Sequence, residues 1–172
     1  RLLDEVIDAM KPLAEKKGIS LLVQFNLAAQ HWMNGDPFRL KQVLYNLLGN
    51  AIKFTLKGHV KLTVDCKQHD DNLHCYFTVE DTGIGFSEED QEKIFREFEQ
   101  GGNPNHQVIN QNGTGLGLAI VKTLIDAQGG RINAKSKLGK GTSFVVYLQF
   151  KPAQMPTETI SLENENAIDH RK

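Results

Sequence analysis

An α+β domain is what this sequence predicts, on three observations. Apolar residues recur at helix spacing over 2–17 and again over 37–55, one stripe on each helix. Between 60 and 80 the pattern turns to alternation, broken by the polar turn His69-Asp70-Asp71-Asn72, which reads as an antiparallel strand pair. A third helix after 117 is followed by two more strands around Gly139-Lys140-Gly141-Thr142.

Each element has its own signal. In the first helix Leu3, Val6, Ile7, Met10, Leu13 and Ala14 share a stripe; Pro12 should kink or split it, and Gly18 should end it. Ile19 to Phe25 is a strand-like apolar run, and Asn34-Gly35 is a turn. Asp36-Pro37 joins an N-cap carboxylate to a proline at the first helical position, so the second helix should run to about Thr55. Its buried face is Leu40, Val43, Leu44, Leu47, Leu48 and Ala51. Gly58 breaks it. Val60, Leu62, Val64 and Cys66 then alternate with polar residues, and the return strand from Leu73 to Glu80 is apolar enough to be central. Ser87 caps a short helix that carries Ile94, Phe95 and Phe98. Glu99 to Asn112 holds four Asn, three Gln and two Gly, too polar for core and long enough for a lid. The last strand carries Phe144, Val146, Leu148 and Phe150; residues 151–172 read as a polar tail or linker after a domain spanning 1–150.

Bulk properties narrow the classes of partner. The chain has 172 residues, 40% hydrophobic and 24% charged, as expected of one globular domain. With 20 basic and 21 acidic residues the net charge is −1, which points to neither nucleic acid nor a membrane surface. Cys66 and Cys75 lack metal-ligand spacing and are expected as reduced thiols of a cytosolic protein. No apolar run approaches the roughly 20 residues of a membrane span. The chain opens on Arg1-Leu2-Leu3 without an initiator Met, as a piece of a longer parent would.

Three stretches carry chemistry. Gly113, Gly115 and Gly117 alternate just before a helix, where free N–H groups and the positive dipole end suit a phosphate; a tight turn against a neighbouring element is the other reading. On the second helix Gln42, Asn46, Asn50 and Lys53 form a stripe beside the buried face. Asparagine is a poor helix former, so the pair at a spacing of four asks for a reason. Its neutral oxygen can ligate a hard cation and the lysine can meet a phosphate, although a solvated face would also be polar. Asp81 ends a central strand before Gly83 and Gly85, as a carboxylate aimed into a cleft or as a plain Asp-x-Gly turn.

Together these resemble one known set. Asn46-x-x-x-Asn50-Ala-x-Lys53-Phe-Thr, Asp81-x-Gly83-x-Gly85, Phe95-x-x-Phe98, Gly113-x-Gly115-x-Gly117 and Gly139-x-Gly141-Thr follow the order of the N, G1, F, G2 and G3 boxes. Those boxes mark the catalytic and ATP-binding domain of bacterial sensor histidine kinases, and Asn-Ala-Ile-Lys-Phe-Thr is most similar to kinases that include the hybrid type. The resemblance covers 1–150. It implies the gyrase-type (Bergerat, GHKL) two-layer sandwich: a mixed, mostly antiparallel sheet of about five strands, covered on one face by helices, with a long ATP lid.

The resemblance also implies roles. ATP and Mg²⁺ would be the ligands. Asn50 would ligate the metal, Asn46 would line the site beside it, and Lys53 would approach the phosphates. Asp81 would take the adenine amino group, with Gly83 and Gly85 making room for the base, and Thr142 would belong to the nucleotide site. Gly113, Thr114, Gly115, Leu116 and Gly117 would cradle phosphate, and Phe95 and Phe98 would anchor the lid. Related ATP-hydrolysing enzymes place a glutamate at the position of Asn46; an amide is no general base, so this site should transfer its phosphoryl group rather than hydrolyse it. The acceptor is a histidine followed by an acid on a helical dimerisation domain. Of the six histidines only His69 has an acid after it, and it stands in the polar turn His69-Asp70-Asp71-Asn72 rather than on an amphipathic helix, so the acceptor should lie outside the chain. The expected setting is the cytoplasmic side of an inner-membrane sensor, with this chain alone a monomer and a response-regulator receiver domain reached indirectly. Two other readings compete: a degenerate nucleotide-binding scaffold, and an ATP-hydrolysing domain of the same superfamily.

Overall fold

The structure is a computed structural model that describes residues 2–27, 32–91, 93–94 and 116–153. The expectations for Phe95, Phe98, the 99–112 segment, Gly113, Thr114 and Gly115, and for the tail from 154, lie outside the described residues.

Helix α1, Leu2–Lys17, buries Val6, Met10 and Ala14. Pro12 does not split the helix: α1 is continuous through it. Asp8, whose carbonyl loses its amide partner to the proline ring, is exposed, as are Lys11 and Leu13, so water can satisfy that group. Gly18 (φ +72°) donates to Glu15 O at 3.0 Å and Ile19 donates to Ala14 O at 3.1 Å, the crossed bonds of a left-handed helix end. Strand β1, Ser20–Leu27, follows at once. The short β2, Trp32–Asn34, has no counterpart in the sequence pattern.

Helix α2, Pro37–Phe54, starts as expected: Asp36 Oδ1 accepts from Phe38 N (3.0 Å) and Arg39 N (3.3 Å). All six apolar residues expected on its inner face are buried, and Ile52 joins them. Strands β3, His59–His69, and β4, Asn72–Asp81, are joined through Asp70 at φ +54°. A short helix α3, Glu88–Gln91, precedes α4, Leu116–Ala127. Strands β5, Arg131–Lys137, and β6, Gly141–Ala153, complete the chain. β6 continues past the expected end at Phe150 because Lys151–Ala153 pair with β2.

The sheet runs β1-β3-β4-β6, with β5 on β6 and β2 on the far end of β6. Only β1 and β3 are parallel among the described pairs; the others are antiparallel. Val60, Leu62 and Val64, with Phe77, Val79, Val146 and Leu148, form the buried parity of the strands and pack with α1, α2 and α4. The opposite parity, including Tyr76 and Glu80, is more exposed. This is a two-layer sandwich covered on one face. Each large side chain so buried contributes about 1.5–3 kcal/mol by leaving water.

The cysteines correct the sequence reading. Cys66 and Cys75 are direct cross-strand partners, 4.2 Å apart at Cα, and their sulfur atoms are bonded. Strand register puts both thiols on the covered face at the same rung, and no spacing rule for a single run reveals that.

Candidate functional site

Helix α2 is the spine of the site. Its last turn holds one end and its middle holds the other.

At the first end, β4 finishes on Asp81. Strand register aligns Val60, Asp81, Thr142 and Ser136 in one row across four strands. Row neighbours share a face, so the carboxyl, the threonine hydroxyl and the serine hydroxyl lie side by side. Asp81 Oδ1 accepts from Gly83 N (2.8 Å) and Thr142 N (3.3 Å). Among the described residues nothing bonds its other oxygen. Burial pushes the Asp81 carboxyl above its ordinary range, and the two N–H groups pull it part of the way back. A half-buried carboxylate with one oxygen free is an acceptor for an N–H donor on a ligand.

The loop after Asp81 is clamped between α2 and the β5–β6 turn. Ile84 N donates to Phe54 O at 3.4 Å, and Gly139 N donates to Ile84 O at 2.6 Å. A Cβ at Gly83 would stand 2.6 Å from Phe54 O, and one at Gly85 (φ +64°) would collide with Lys137 O. Both glycines are therefore required by close backbone approach. Lys17 closes the same end of α2, its Nζ donating to Ile52 O (2.7 Å) and Lys53 O (2.9 Å). Desolvation lowers the Lys17 pKa.

At the other end, α4 begins beside the polar stripe of α2. A Cβ at Gly117 would lie 3.6 Å from Asn46 Oδ1 and 3.8 Å from Asn50 Nδ2. The two amides are one helical turn apart, about 6 Å along the axis, and Phe54 lies about 6 Å further on. The positive end of α4 thus meets two half-buried neutral amides. Lys53 lies between the two ends, its Nζ 5.7 Å from the centre of the Phe54 ring.

The expected residues therefore fall into two groups. Asn46, Asn50 and Gly117 meet at one end, and Asp81, Gly83, Gly85 and Thr142 at the other. Leu116 opens α4. Asn50 offers an amide oxygen suited to a hard cation. Among the described residues no group of three or more His, Cys, Asp or Glu could hold a metal. That chemistry fits Mg²⁺, which takes few protein ligands and completes its shell from phosphate oxygens and water. Sequence reasoning missed Ser136, Lys17 and the Phe54 carbonyl. The Gly139-Lys140-Gly141-Thr142 turn was the nearest signal for Ser136; the other two had none, since both act through contacts distant in sequence.

Comparison with known proteins shows the family and the fold. Residues 35–152 match the family described as Histidine kinase-, DNA gyrase B-, and HSP90-like ATPase. The chain is 42% identical over 137 residues to the virulence sensor protein BvgS of Bordetella bronchiseptica, covering 80% of this chain and 11% of BvgS. It is 36% identical over 167 residues to the hybrid signal transduction histidine kinase C of Dictyostelium discoideum, covering 90% of this chain and 13% of that protein. The crystal structure of full-length ShkA in complex with AMPPNP superimposes with a TM-score of 0.72 at 35% identity, covering 90% of this chain and 30% of ShkA. The chain spans about a tenth of the length of the first two.

Proposed function

We propose a function from one premise: the chain belongs to the Histidine kinase-, DNA gyrase B-, and HSP90-like ATPase family, as the catalytic ATP-binding domain of a sensor histidine kinase. Along α2 it binds Mg-ATP and holds the γ-phosphoryl group for transfer to a histidine on a separate helical dimerisation domain. The observation that carries this is Gly117 at the Asn46 and Asn50 amides, opposite a base-binding end at Asp81.

The adenine amino group donates to Asp81, Gly83 and Gly85 leave room for the ring, and Thr142 lies against its edge. N–H groups of Gly113 to Gly117, Thr114 and Leu116 among them, receive the phosphates at the start of α4. Lys53 moves its ammonium from the Phe54 ring to the phosphates, and Phe95 and Phe98 anchor the 99–112 lid. Asn50 Oδ1 would hold Mg²⁺, which when bound would neutralise the charge of the phosphates. Asn46 takes no proton from water, so the bound nucleotide is spared for the histidine. Catalysis is then positioning, with the nucleophile supplied by the partner domain.

ATP supply supports a cytoplasmic placement, on the inner side of a membrane-anchored sensor, with a receiver domain taking the phosphoryl group onward from the histidine. The chain alone is a monomer in this reading. The test is calorimetric binding of ATP with and without Mg²⁺ to wild type and Asn50→Ala, then phosphotransfer to the parent's histidine-bearing domain added in trans. Loss of Mg-dependent binding and of transfer in Asn50→Ala is the expected result. Full activity of that variant would overturn the assignment, binding without transfer would favour a scaffold, and steady-state hydrolysis would favour an ATP-hydrolysing domain.

A further inference from the structure

Helix α2 ends at Phe54, and its backbone ladder ends with it. Ala51 O is met by Thr55 N at 3.1 Å and by Thr55 Oγ1 at 2.7 Å. The carbonyls of Ile52, Lys53 and Phe54 have no helical amide one turn further on to bond them. Two residues distant in the chain take all three. Lys17 Nζ donates to Ile52 O at 2.7 Å and to Lys53 O at 2.9 Å, and Ile84 N donates to Phe54 O at 3.4 Å. The last turn of α2 is thereby held from outside, by the end of α1 and by the loop after Asp81. Helix α1 lies before the residues 35–152 that match the family, so Lys17 stands outside that match.

The contacts continue from that turn to the carboxyl. Phe54 O is the atom nearest to where a Cβ would stand on Gly83, so the Gly83 backbone rests against it. Gly83 N in turn donates to Asp81 Oδ1 at 2.8 Å. The position of the Phe54 carbonyl therefore sets where Gly83 stands, and Gly83 sets how the Asp81 carboxyl is turned. Helix ends fray, and an end whose carbonyls lose their partners frays further. Lys17 bonds the two carbonyls that directly precede Phe54 O, and so keeps that atom where the loop needs it.

We infer that Lys17 is a positioning residue for nucleotide binding: by bonding the Ile52 and Lys53 carbonyls it fixes the last turn of α2, and through Phe54 O and Gly83 it holds the Asp81 carboxyl in the orientation that receives the base. The inference rests on the adenine-binding reading given above. Lys17 touches no nucleotide in this arrangement. It ties α1 to the base-binding end, and its effect on affinity passes through Asp81.

The experiment measures the dissociation constant of Mg-ADP by calorimetry on the full chain, at a temperature where thermal unfolding shows each variant folded. Lys17→Met raises that constant about fivefold, equivalent to roughly 1 kcal/mol. In an Asp81→Asn background the same change has little further effect, because the carboxyl that Lys17 positions is gone. A residue that only stabilises the fold lowers the melting temperature and leaves the constant of the folded chain unmoved. A folded Lys17→Met with wild-type affinity therefore overturns the inference. So does a loss that persists undiminished beside Asp81→Asn, since the coupling then bypasses Asp81. Should Lys17→Met fail to fold, Lys17→Gln, with a shorter and neutral donor, is held to the same two measurements. A wild-type chain that binds no Mg-ADP, or an Asp81→Asn variant with wild-type affinity, removes the adenine-binding reading itself. That failure differs from an unmoved constant in a chain that does bind through Asp81.

Discussion

Gly83 lies against the carbonyl of Phe54, so close that a methyl group in its place would stand 2.6 Å from the oxygen. The last turn of α2 and the loop that follows Asp81 are therefore one packed unit. A change at either moves both the loop beside Asp81 and the helix that carries Asn46 and Asn50.

Gly83→Ala should push that loop off α2. Overpacking of this kind costs about 1–3 kcal/mol. The expected outcome is a lower melting temperature together with weaker ATP binding, read by thermal unfolding and calorimetry. A variant that melts like wild type would show that the loop yields freely.

Asp81 makes the stability of the unliganded protein depend on pH. Its folded pKa is raised above the ordinary value of 3.8 because burial disfavours the carboxylate. A raised folded pKa means a stabilising contribution that is complete below the unfolded value and is lost as pH rises through the folded value. At neutral pH the ionised carboxylate therefore weakens the fold. Asp81→Asn should melt higher than wild type at neutral pH, with the gap closing as pH falls below 3.8. ATP affinity should fall in the same variant. Equal melting temperatures across the whole range would contradict the burial argument.

Lys17 joins α1 to the carbonyls of Ile52 and Lys53. A lysine at a helix C-terminus also meets the negative dipole end. Lys17→Met keeps most of the stem and removes the charge. Because the residue is exposed, the expected loss is about 1 kcal/mol, seen as an earlier urea midpoint with an unchanged slope.

Gly117 separates stability from binding. An added Cβ would make only ordinary contacts, 3.6 and 3.8 Å from the two asparagine amides. In the helix, alanine is favoured over glycine by about 1 kcal/mol. Gly117→Ala should thus melt at or above wild type while binding Mg-ATP more weakly, because the methyl occupies the space between α4 and the amides. Unchanged affinity would place the phosphates elsewhere.

Much of this protein was legible from local pattern. The Asp36-Pro37 start, the inner stripe of α2 and the Gly18 helix end are short-range physics, and each stands where the sequence predicts it. The pairing of Asn46 with Asn50 follows from helix periodicity alone. Asp81 at a strand end beside two glycines was also legible locally, but that pattern left a cleft carboxylate and a plain turn both open, and its base-binding role came from the resemblance.

Other features were decided between residues far apart in the chain. Alternation tells which face a strand residue takes but never which residue lies across from it. Register alone set Cys66 opposite Cys75, and Asp81, Thr142 and Ser136 in one row. The parallel pairing of β1, the addition of β2 to the end of β6 and the clamp of Gly83 on Phe54 have the same origin. The sequence by itself determined the elements and their chemical content, because those depend on neighbours within a few residues. The tertiary structure decided which of them face one another, because that depends on how two layers bury their apolar faces together.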